Sequence, residues 1–171
     1  MTSERTFAFS SAVRAAVPIF VGLVGSSSSG KTKSALRLAT GMQRVYGGKI
    51  FFIDTEGRRA LHYAPREGEK AVPPHTCEFT HLPFSAPFGP LDYLAAIEAC
   101  AKAGAKVIVI DSMSHEHEGP GGVLEQHETE TARIAKVWKS SLDAASQSGW
   151  QAPKAARKKL INTVIQLEVS V

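Results

Sequence analysis

Residues 25–32 read Gly25-Ser26-Ser27-Ser28-Ser29-Gly30-Lys31-Thr32, and the rest of the chain is organised around them. The stretch fits the pattern G-x-x-x-x-G-K-[ST]. The apolar run over residues 18–24 comes before it and predicts a buried strand. The apolar positions of residues 33–42 recur at helical spacing and predict a helix. A strand, a glycine loop and a helix in this order are the setting in which the pattern binds phosphate.

The residue types of this loop suit the phosphates of a nucleotide. Gly25 and Gly30 let the backbone curl so that consecutive N–H groups face one anion, and the N-terminus of the next helix adds unpaired N–H groups. Lys31 can reach the β- and γ-phosphates, and the Thr32 hydroxyl can bind Mg²⁺. The predicted nucleotide-binding residues are Gly25, Ser26, Ser27, Ser28, Ser29, Gly30, Lys31, Thr32 and Lys33.

The composition of the chain limits the classes of protein to which it can belong. Its 171 residues predict one domain, and 43% hydrophobic with 21% charged residues is typical of a globular protein. No apolar run approaches the roughly 20 residues that span a bilayer, and the N-terminus lacks the layout of a signal peptide. We therefore expect an intracellular protein with no membrane partner. Cys77 and Cys100 are too few for a disulfide framework or a zinc site.

Positive charge is concentrated in the C-terminal third of the sequence. Residues 133–159 carry seven basic side chains against Asp143 alone, whereas the first 132 residues carry 13 basic and 14 acidic ones. A basic segment beside a near-neutral body indicates either a nucleic-acid partner or a solvated helix face, and the sequence leaves both open. The densest cations, and so the candidates for phosphate contacts, are Lys154, Arg157, Lys158 and Lys159.

Two further apolar runs predict strands that end in acidic residues. Residues 49–54 lead into Glu56, and residues 106–112 contain Asp111 near their end. Their continuous apolar character predicts burial on both faces, as in a parallel sheet. Ligands of α/β folds lie at the carboxyl edge of the sheet, where a carboxylate beside the phosphate loop suits Mg²⁺. We therefore predict Asp111 as a metal ligand together with Thr32.

The remaining segments predict helices and loops around this sheet. We expect a polar lead-in over residues 1–16, a first helix that stops at Gly47-Gly48, a proline-rich stretch over 65–90 with a short strand within 76–82, and helices over 91–103, 123–140 and 153–167. Residues 113–122 predict a loop, residues 141–152 a polar connection, and residues 168–171 the start of a strand. His115 and His117 lack the H-E-x-x-H spacing, so they do not predict a transition-metal site.

Three motifs together resemble the RecA-like ATPase core. They are the glycine loop, Ile53-Asp54-Thr55-Glu56-Gly57 and Val107-Ile108-Val109-Ile110-Asp111-Ser112. A longer match, over about residues 16–167, is similar to phage- and prophage-encoded RecA-like nucleotide-binding proteins, and residues 32–39, 111–116 and 121–125 carry it. The resemblance implies a single three-layer αβα domain over residues 1–171 with a mostly parallel sheet. It also implies ATP or ADP and Mg²⁺ as ligands, with Glu56 and Lys31 as catalytic residues.

The resemblance further implies a function and partners. It implies an ATP-hydrolysing protein of the bacterial cytoplasm, encoded by a phage or prophage, that acts in DNA recombination, single-strand annealing or replication. Single-stranded DNA and further copies of the chain, in a ring or filament, are the implied partners. In relatives the core continues with more strands, a second DNA-facing loop and a basic finger. This sequence ends as its next strand begins, so those parts are absent from it or lie outside it.

Two alternatives from other classes stay open at this point. The first is a small-molecule kinase, in which Arg58, Arg59 and Arg66 would hold a second phosphate. The second is a DNA-binding module that uses the nucleotide for assembly without hydrolysing it. Both share the phosphate loop with the ATPase, so the loop alone does not separate them.

Overall fold

Helices and strands alternate in the computed structural model, which describes residues 6–15 and 17–171. Within these residues the strands are β1 (Lys49–Asp54), β2 (Thr80–Pro83) and β3 (Ala105–Asp111). The helices are α1 (Lys31–Tyr46), α2 (Pro90–Lys102), α3 (Ser114–Glu118), α4 (Val123–Trp138), α5 (Leu142–Gly149) and α6 (Gln151–Gln166), with a 3₁₀ helix at Arg59–Tyr63. The predicted lead-in falls partly on residues 1–5 and 16, which lie outside the described part. No described helix has both the length and the apolar character needed to cross a bilayer.

The three strands form one parallel sheet in the order β2-β1-β3. Strand β1 lies in the middle, and its residues 50–54 are buried, as the continuous apolar run predicts. Asp54 at the end of β1 is in register with Asp111 at the end of β3. The predicted parallel pairing is therefore confirmed, and the two acidic strand ends lie side by side at the carboxyl edge.

Helices cover both faces of the sheet because successive strand residues point to opposite sides. Ile50 and Phe52 of β1 share a core with α1, whereas Phe51 and Ile53 share a second core with α2 and α6. The α1 core contains Leu36, Ala39, Met42, Val107 and Val109. The second core contains Tyr93, Leu94, Ile97, Ile108, Leu160 and Val164. The α/β class is thus confirmed, with α1 on one side of the sheet and α2 and α6 on the other.

The C-terminal segment lies beside the edge of β3 that is not paired with β1, and residues 19–21 lie on the other side of that segment. Ser170 forms an isolated parallel bridge with Val107, so within the strand start predicted at residues 168–171 a single residue pairs with β3. Val171 donates its N–H to Ile19 O at 3.2 Å, and Val21 N–H donates to Val171 O at 3.1 Å. The run over residues 18–24 is therefore extended, but it is not the buried strand that its composition predicts.

The run over residues 18–24 is exposed because few segments lie beside it. Ile19 is 40% exposed and Val24 is fully exposed. Among the described residues, the backbone of the run bonds to Val171, and no strand lies beside the rest of its length. An apolar run becomes a buried strand only where neighbours are available to cover it.

The prediction of a polar connection over residues 141–152 is wrong. Residues 142–149 form α5, and α6 already begins at Gln151. Ser141 caps α5, since its Oγ accepts the Ala144 N–H at 3.2 Å. Gly149 packs so closely on α4 that a Cβ there would lie 2.1 Å from Thr131 Oγ1. Small residues such as Ala145 and Gly149 make the contact with α4, and they give little of the apolar signal by which a helix is recognised in sequence.

Two other segments differ from their predictions. The predicted loop over residues 113–122 contains the short helix α3, and its remaining part, residues 119–122, is irregular. The short strand expected within residues 76–82 is present as β2, but it begins only at Thr80 and ends at Pro83. Cys77 N–H donates to Tyr63 O at 2.7 Å instead of pairing with β1. Local periodicity predicts neither helix α3 nor the hydrogen bond between Cys77 and Tyr63.

Candidate functional site

The loop before α1 has the turn conformation that its glycines and serines allow. Ser28 and Gly30 have φ values of 62° and 85°, in the left-handed region that glycine adopts without strain. Ser29 N–H donates to Ser26 O at 3.3 Å and closes a turn. A Cβ at Gly25 would lie 2.8 Å from Ser29 Oγ. Gly30 is therefore favoured by its dihedral angle, whereas a side chain at Gly25 would require the Ser29 hydroxyl to shift.

The N-terminus of α1 opens onto this loop without a capping side chain. The first helical hydrogen bond runs from Ser34 N–H to Gly30 O at 2.9 Å, and no side chain caps the helix. The N–H groups of the first turn therefore lack helical acceptors. Lys31 Nζ donates to Gly25 O at 2.9 Å and Ser26 O at 2.7 Å, which holds its ammonium group over the loop. Free N–H groups and a cation converge here, as an anion requires.

The two residues predicted as metal ligands are in direct contact. Thr32 Oγ1 donates to Asp111 Oδ2 at 2.5 Å, although they are 79 residues apart in the chain. A hydroxyl and a carboxylate are hard oxygen donors that suit Mg²⁺, which keeps waters and phosphate oxygens as its other ligands. The described residues hold no group of three or more His, Cys, Asp or Glu side chains arranged for a metal. A cation at this pair would thus take its remaining oxygens from the ligand and from water.

Glu56 lies at the same edge of the sheet, and Ser112, the residue after Asp111, links the two. Thr55 N–H donates to Asp111 O at 2.9 Å, which joins the two strand ends. Ser112 Oγ donates to Glu56 Oε1 at 3.4 Å. Arg59 Nη1 lies 3.6 Å from Glu56 Oε2. The Arg59 side chain is 74% exposed and the Glu56 side chain is 34% exposed. The carboxylate therefore stays accessible to water while two neighbours orient it.

Asp54, which the sequence analysis did not assign to the site, holds the turn that carries Glu56. Its buried carboxylate accepts the N–H groups of Glu56 at 2.8 Å and Ala60 at 3.3 Å. His81 Nε2, on β2, lies 3.0 Å from Asp54 Oδ2 and donates to it, because a carboxylate only accepts. An aspartate at the end of an apolar strand is visible in the sequence. The inward direction of the Asp54 side chain, however, depends on His81 of the short strand β2.

A second group of polar side chains orders the turn after β3. Ser112 N–H donates to Thr55 Oγ1 at 2.7 Å, and His115 Nδ1 lies 2.8 Å from the same oxygen. Tyr93 donates its hydroxyl to Ser112 O at 2.7 Å, and burial raises the pKa of Tyr93 to about 12. The His115 ring stacks on Phe88 with centroids 5.0 Å apart. These contacts connect α2, α3 and both strand ends, which no single motif reveals.

The basic segment is less uniform than its composition indicates. Arg157 Nε lies 3.6 Å from Glu116 Oε1, and Arg133 pairs with Glu130 at 2.6 Å. Both acids lie outside residues 133–159. Glu116 is buried, and this burial raises the pKa of its carboxyl, opposed by the nearby charge of Arg157. The exposed lysines of α6 are Lys154, Lys158 and Lys159.

Comparison of the chain with protein-family models, with curated proteins and with solved structures gives no match in any of the three.

Proposed function

We propose that this chain binds ATP with Mg²⁺ and hydrolyses it as a RecA-like P-loop ATPase. The observation that carries the proposal is the contact between Thr32 Oγ1 and Asp111 Oδ2 at 2.5 Å. Each residue comes from a different motif, and each motif by itself predicts an Mg²⁺ ligand. The uncapped start of α1 and the position of Lys31 give further support, because they offer donors to phosphate oxygens.

The residues at this edge would have separate tasks. Lys31 and the loop N–H groups would hold the β- and γ-phosphates, and Thr32 with Asp111 would hold Mg²⁺. The bound cation would neutralise charge on the phosphate oxygens. Glu56 would orient a water molecule and accept its proton, with Ser112 and Arg59 holding the carboxylate in place. Asp54 would position Glu56 through its backbone N–H without touching the reacting atoms.

The proposed context is DNA recombination, annealing or replication by a phage or prophage protein, in a ring or filament on single-stranded DNA. The resemblance of the three motifs supports it, and so does the sheet with helices on both faces. Exposed lysines on α6 provide a surface to which phosphates could be attracted. The kinase alternative has less support, because Arg59, one of its three candidate arginines, pairs with Glu56.

The experiment that tests this proposal is a measurement of ATP binding and turnover with and without Mg²⁺ and single-stranded DNA. We expect Mg²⁺-dependent binding, and hydrolysis that DNA stimulates. Binding without hydrolysis would favour the non-hydrolysing DNA module. Phosphate transfer to an added small molecule, with no response to DNA, would favour the kinase. No binding of Mg-ATP would exclude all three.

A further inference from the structure

A cavity of about 520 Å³ lies where α4, α5 and the start of α6 meet. Five of its lining residues, between Glu130 and Trp138, share one face of α4, because they are spaced by whole helical turns. Ser148 of α5 and Gln151 of α6 also line it. The cavity shares no residue with the phosphate loop or the strand ends, so the proposed ATPase chemistry does not account for it.

Trp138 gives the cavity an aromatic wall that lacks a partner of its own. It is the last residue of α4 and is 57% exposed. The other tryptophan, Trp150, stacks on His127 with ring centroids 3.9 Å apart. Trp138 has neither a ring contact nor a hydrogen bond from its indole N–H to any other described residue. An indole in this position is free to stack on a planar ligand.

The polar groups of the cavity favour a ligand part that is uncharged. Arg133 donates to Glu130 through Nε at 2.9 Å and through Nη2 at 2.6 Å, so the two charges offset each other. This pairing lowers the pKa of Glu130 and raises the pKa of Arg133, which keeps both groups charged. The side chains of Ser148 and Gln151 form no hydrogen bond with any described residue. Their donors and acceptors are available to the edge of a heterocycle.

Lysines flank the cavity residues in the chain. Lys136 precedes Val137, Lys139 follows Trp138, and Lys154 lies one turn after Gln151 on α6, all in exposed positions. The ligand would therefore find positive charge beside a cavity whose own charges cancel. A single-stranded nucleic acid has this combination of chemistry, because its uncharged planar bases are joined by charged phosphates.

We propose that this cavity binds an unpaired base of single-stranded DNA, stacked on Trp138 and hydrogen-bonded by Gln151 and Ser148. The flanking lysines would attract the adjoining phosphates. The proposal rests on the DNA partner of the proposed function and adds to it the place of a base contact. It does not require ATP hydrolysis, because no residue of the cavity belongs to the phosphate loop. Stacking requires a single strand, since neighbouring base pairs cover both faces of a base in a duplex.

The test uses the full chain with Trp150→Phe, which leaves Trp138 as the one remaining tryptophan of the two in the sequence. Its fluorescence is titrated with an oligothymidine strand, with an abasic strand of the same length, and with the oligothymidine in a duplex. We expect saturable quenching by the oligothymidine. The abasic strand keeps the phosphates but should bind about tenfold more weakly, without quenching. The duplex should also cause no quenching.

Matched variants of the otherwise wild-type chain test the place of binding, which is followed by polarisation of a labelled oligothymidine. Trp138→Ala should weaken binding about fivefold or more, and should leave the salt dependence unchanged because no cation is lost. Trp138→Phe keeps a ring and should bind within about threefold of wild type. Leu142→Ala shortens an exposed apolar residue that does not line the cavity, and should bind like wild type.

The outcomes separate this inference from the proposed function. Equal binding by Trp138→Ala and wild type, with the salt dependence retained, would overturn the base contact and leave the DNA partner in place. No binding of any strand would overturn both. Equal quenching by free thymidine monophosphate would identify a mononucleotide pocket and overturn the proposal. Fluorescence that changes with protein concentration but not with DNA would identify a second copy as the occupant and overturn it too.

Discussion

The charged side chains at the sheet edge and those on the outer face of α6 are held in different ways. Lys31 and Glu56 each have hydrogen-bond partners supplied by backbone or by a neighbouring strand end. Lys154 and Lys158 are exposed, and the ammonium group of Lys154 lies 5.7 Å from the centre of the Trp150 ring. Charges with fixed positions can act on one atom of a ligand, whereas exposed ones provide a salt-dependent attraction without a fixed geometry. Substitutions at the sheet edge should therefore change nucleotide binding or turnover strongly. Substitutions on α6 should change DNA binding gradually, with the number of charges removed.

Glu56→Gln should produce the largest effect. The amide keeps the shape of the side chain but cannot accept a proton, so ATP should still bind while turnover falls on the order of 10²-fold or more. Single-turnover kinetics together with equilibrium binding separate the two effects.

Arg59→Ala is the matched control for this substitution. It removes the exposed partner of Glu56, and an exposed ion pair contributes about 1 kcal/mol at most. If Glu56 serves only that pair, both substitutions should lower the melting temperature slightly and leave turnover unchanged. That result would remove Glu56 from the catalytic residues.

Lys31→Ala should weaken Mg-ATP binding tenfold or more, which corresponds to about 1.4 kcal/mol. The substitution removes the ammonium group that lies over the loop and leaves the apolar core unchanged. Isothermal titration with Mg-ATP measures the effect, and circular dichroism checks the fold. Arg37→Ala, in an exposed position nearly two turns later on α1, is the control and should bind normally. A Lys31→Ala protein that bound within about threefold of wild type would contradict the phosphate-loop assignment.

Replacement of Lys154 and Lys158 by Ala should reduce the salt dependence of binding to single-stranded DNA. Each lost phosphate contact lowers the log–log slope by about 0.7, so the pair should lower it by about 1.4. Arg157→Ala should lower it less, because that guanidinium lies beside the buried Glu116 carboxylate. Arg44→Ala with Lys49→Ala, exposed positions near the amino edge of the sheet, should leave the slope unchanged. Equal slopes for all these proteins would mean that the cations of α6 are a solvated face that does not contact DNA.

Glu116→Gln should have the smallest effect, and one that depends on pH. Burial holds the pKa of Glu116 above its ordinary value, so folding favours the protonated carboxyl, while Arg157 and His117 act against this. The contribution of this group to stability is thus present at low pH and is lost as pH rises through its pKa in the folded state. The variant should gain stability relative to wild type between about pH 4 and about pH 7.

Urea unfolding at both pH values measures this difference. Glu118→Gln, an exposed position on the same helix, is the control and should show no such trend. A constant difference between Glu116→Gln and wild type at both values would mean that the carboxyl keeps its ordinary pKa in the folded protein.

Local patterns were enough to predict the elements that contain strong periodicity or a motif. Residues 49–54 form β1 with the predicted bounds, and α1 ends at Gly47, whose φ is 72°. The Thr32 and Asp111 pair could be predicted because each belongs to a motif with its own chemistry. Helix α5 could not, because its packing depends on small residues such as Gly149 that fit against α4. Small residues carry no periodic apolar signal in sequence.

Sequence by itself determined the glycine turn before α1, the two acidic strand ends and the α/β class, since glycine conformation, side-chain chemistry and apolar periodicity are local properties. Tertiary structure alone decided which acid turns inward. Asp54 and Asp111 both end apolar strands, yet Asp54 is held by His81 and two backbone N–H groups while Asp111 faces Thr32. It also decided that the run over residues 18–24 stays exposed while β1 is buried. Burial and hydrogen-bond partners depend on which distant segments lie alongside, and no local pattern carries that information.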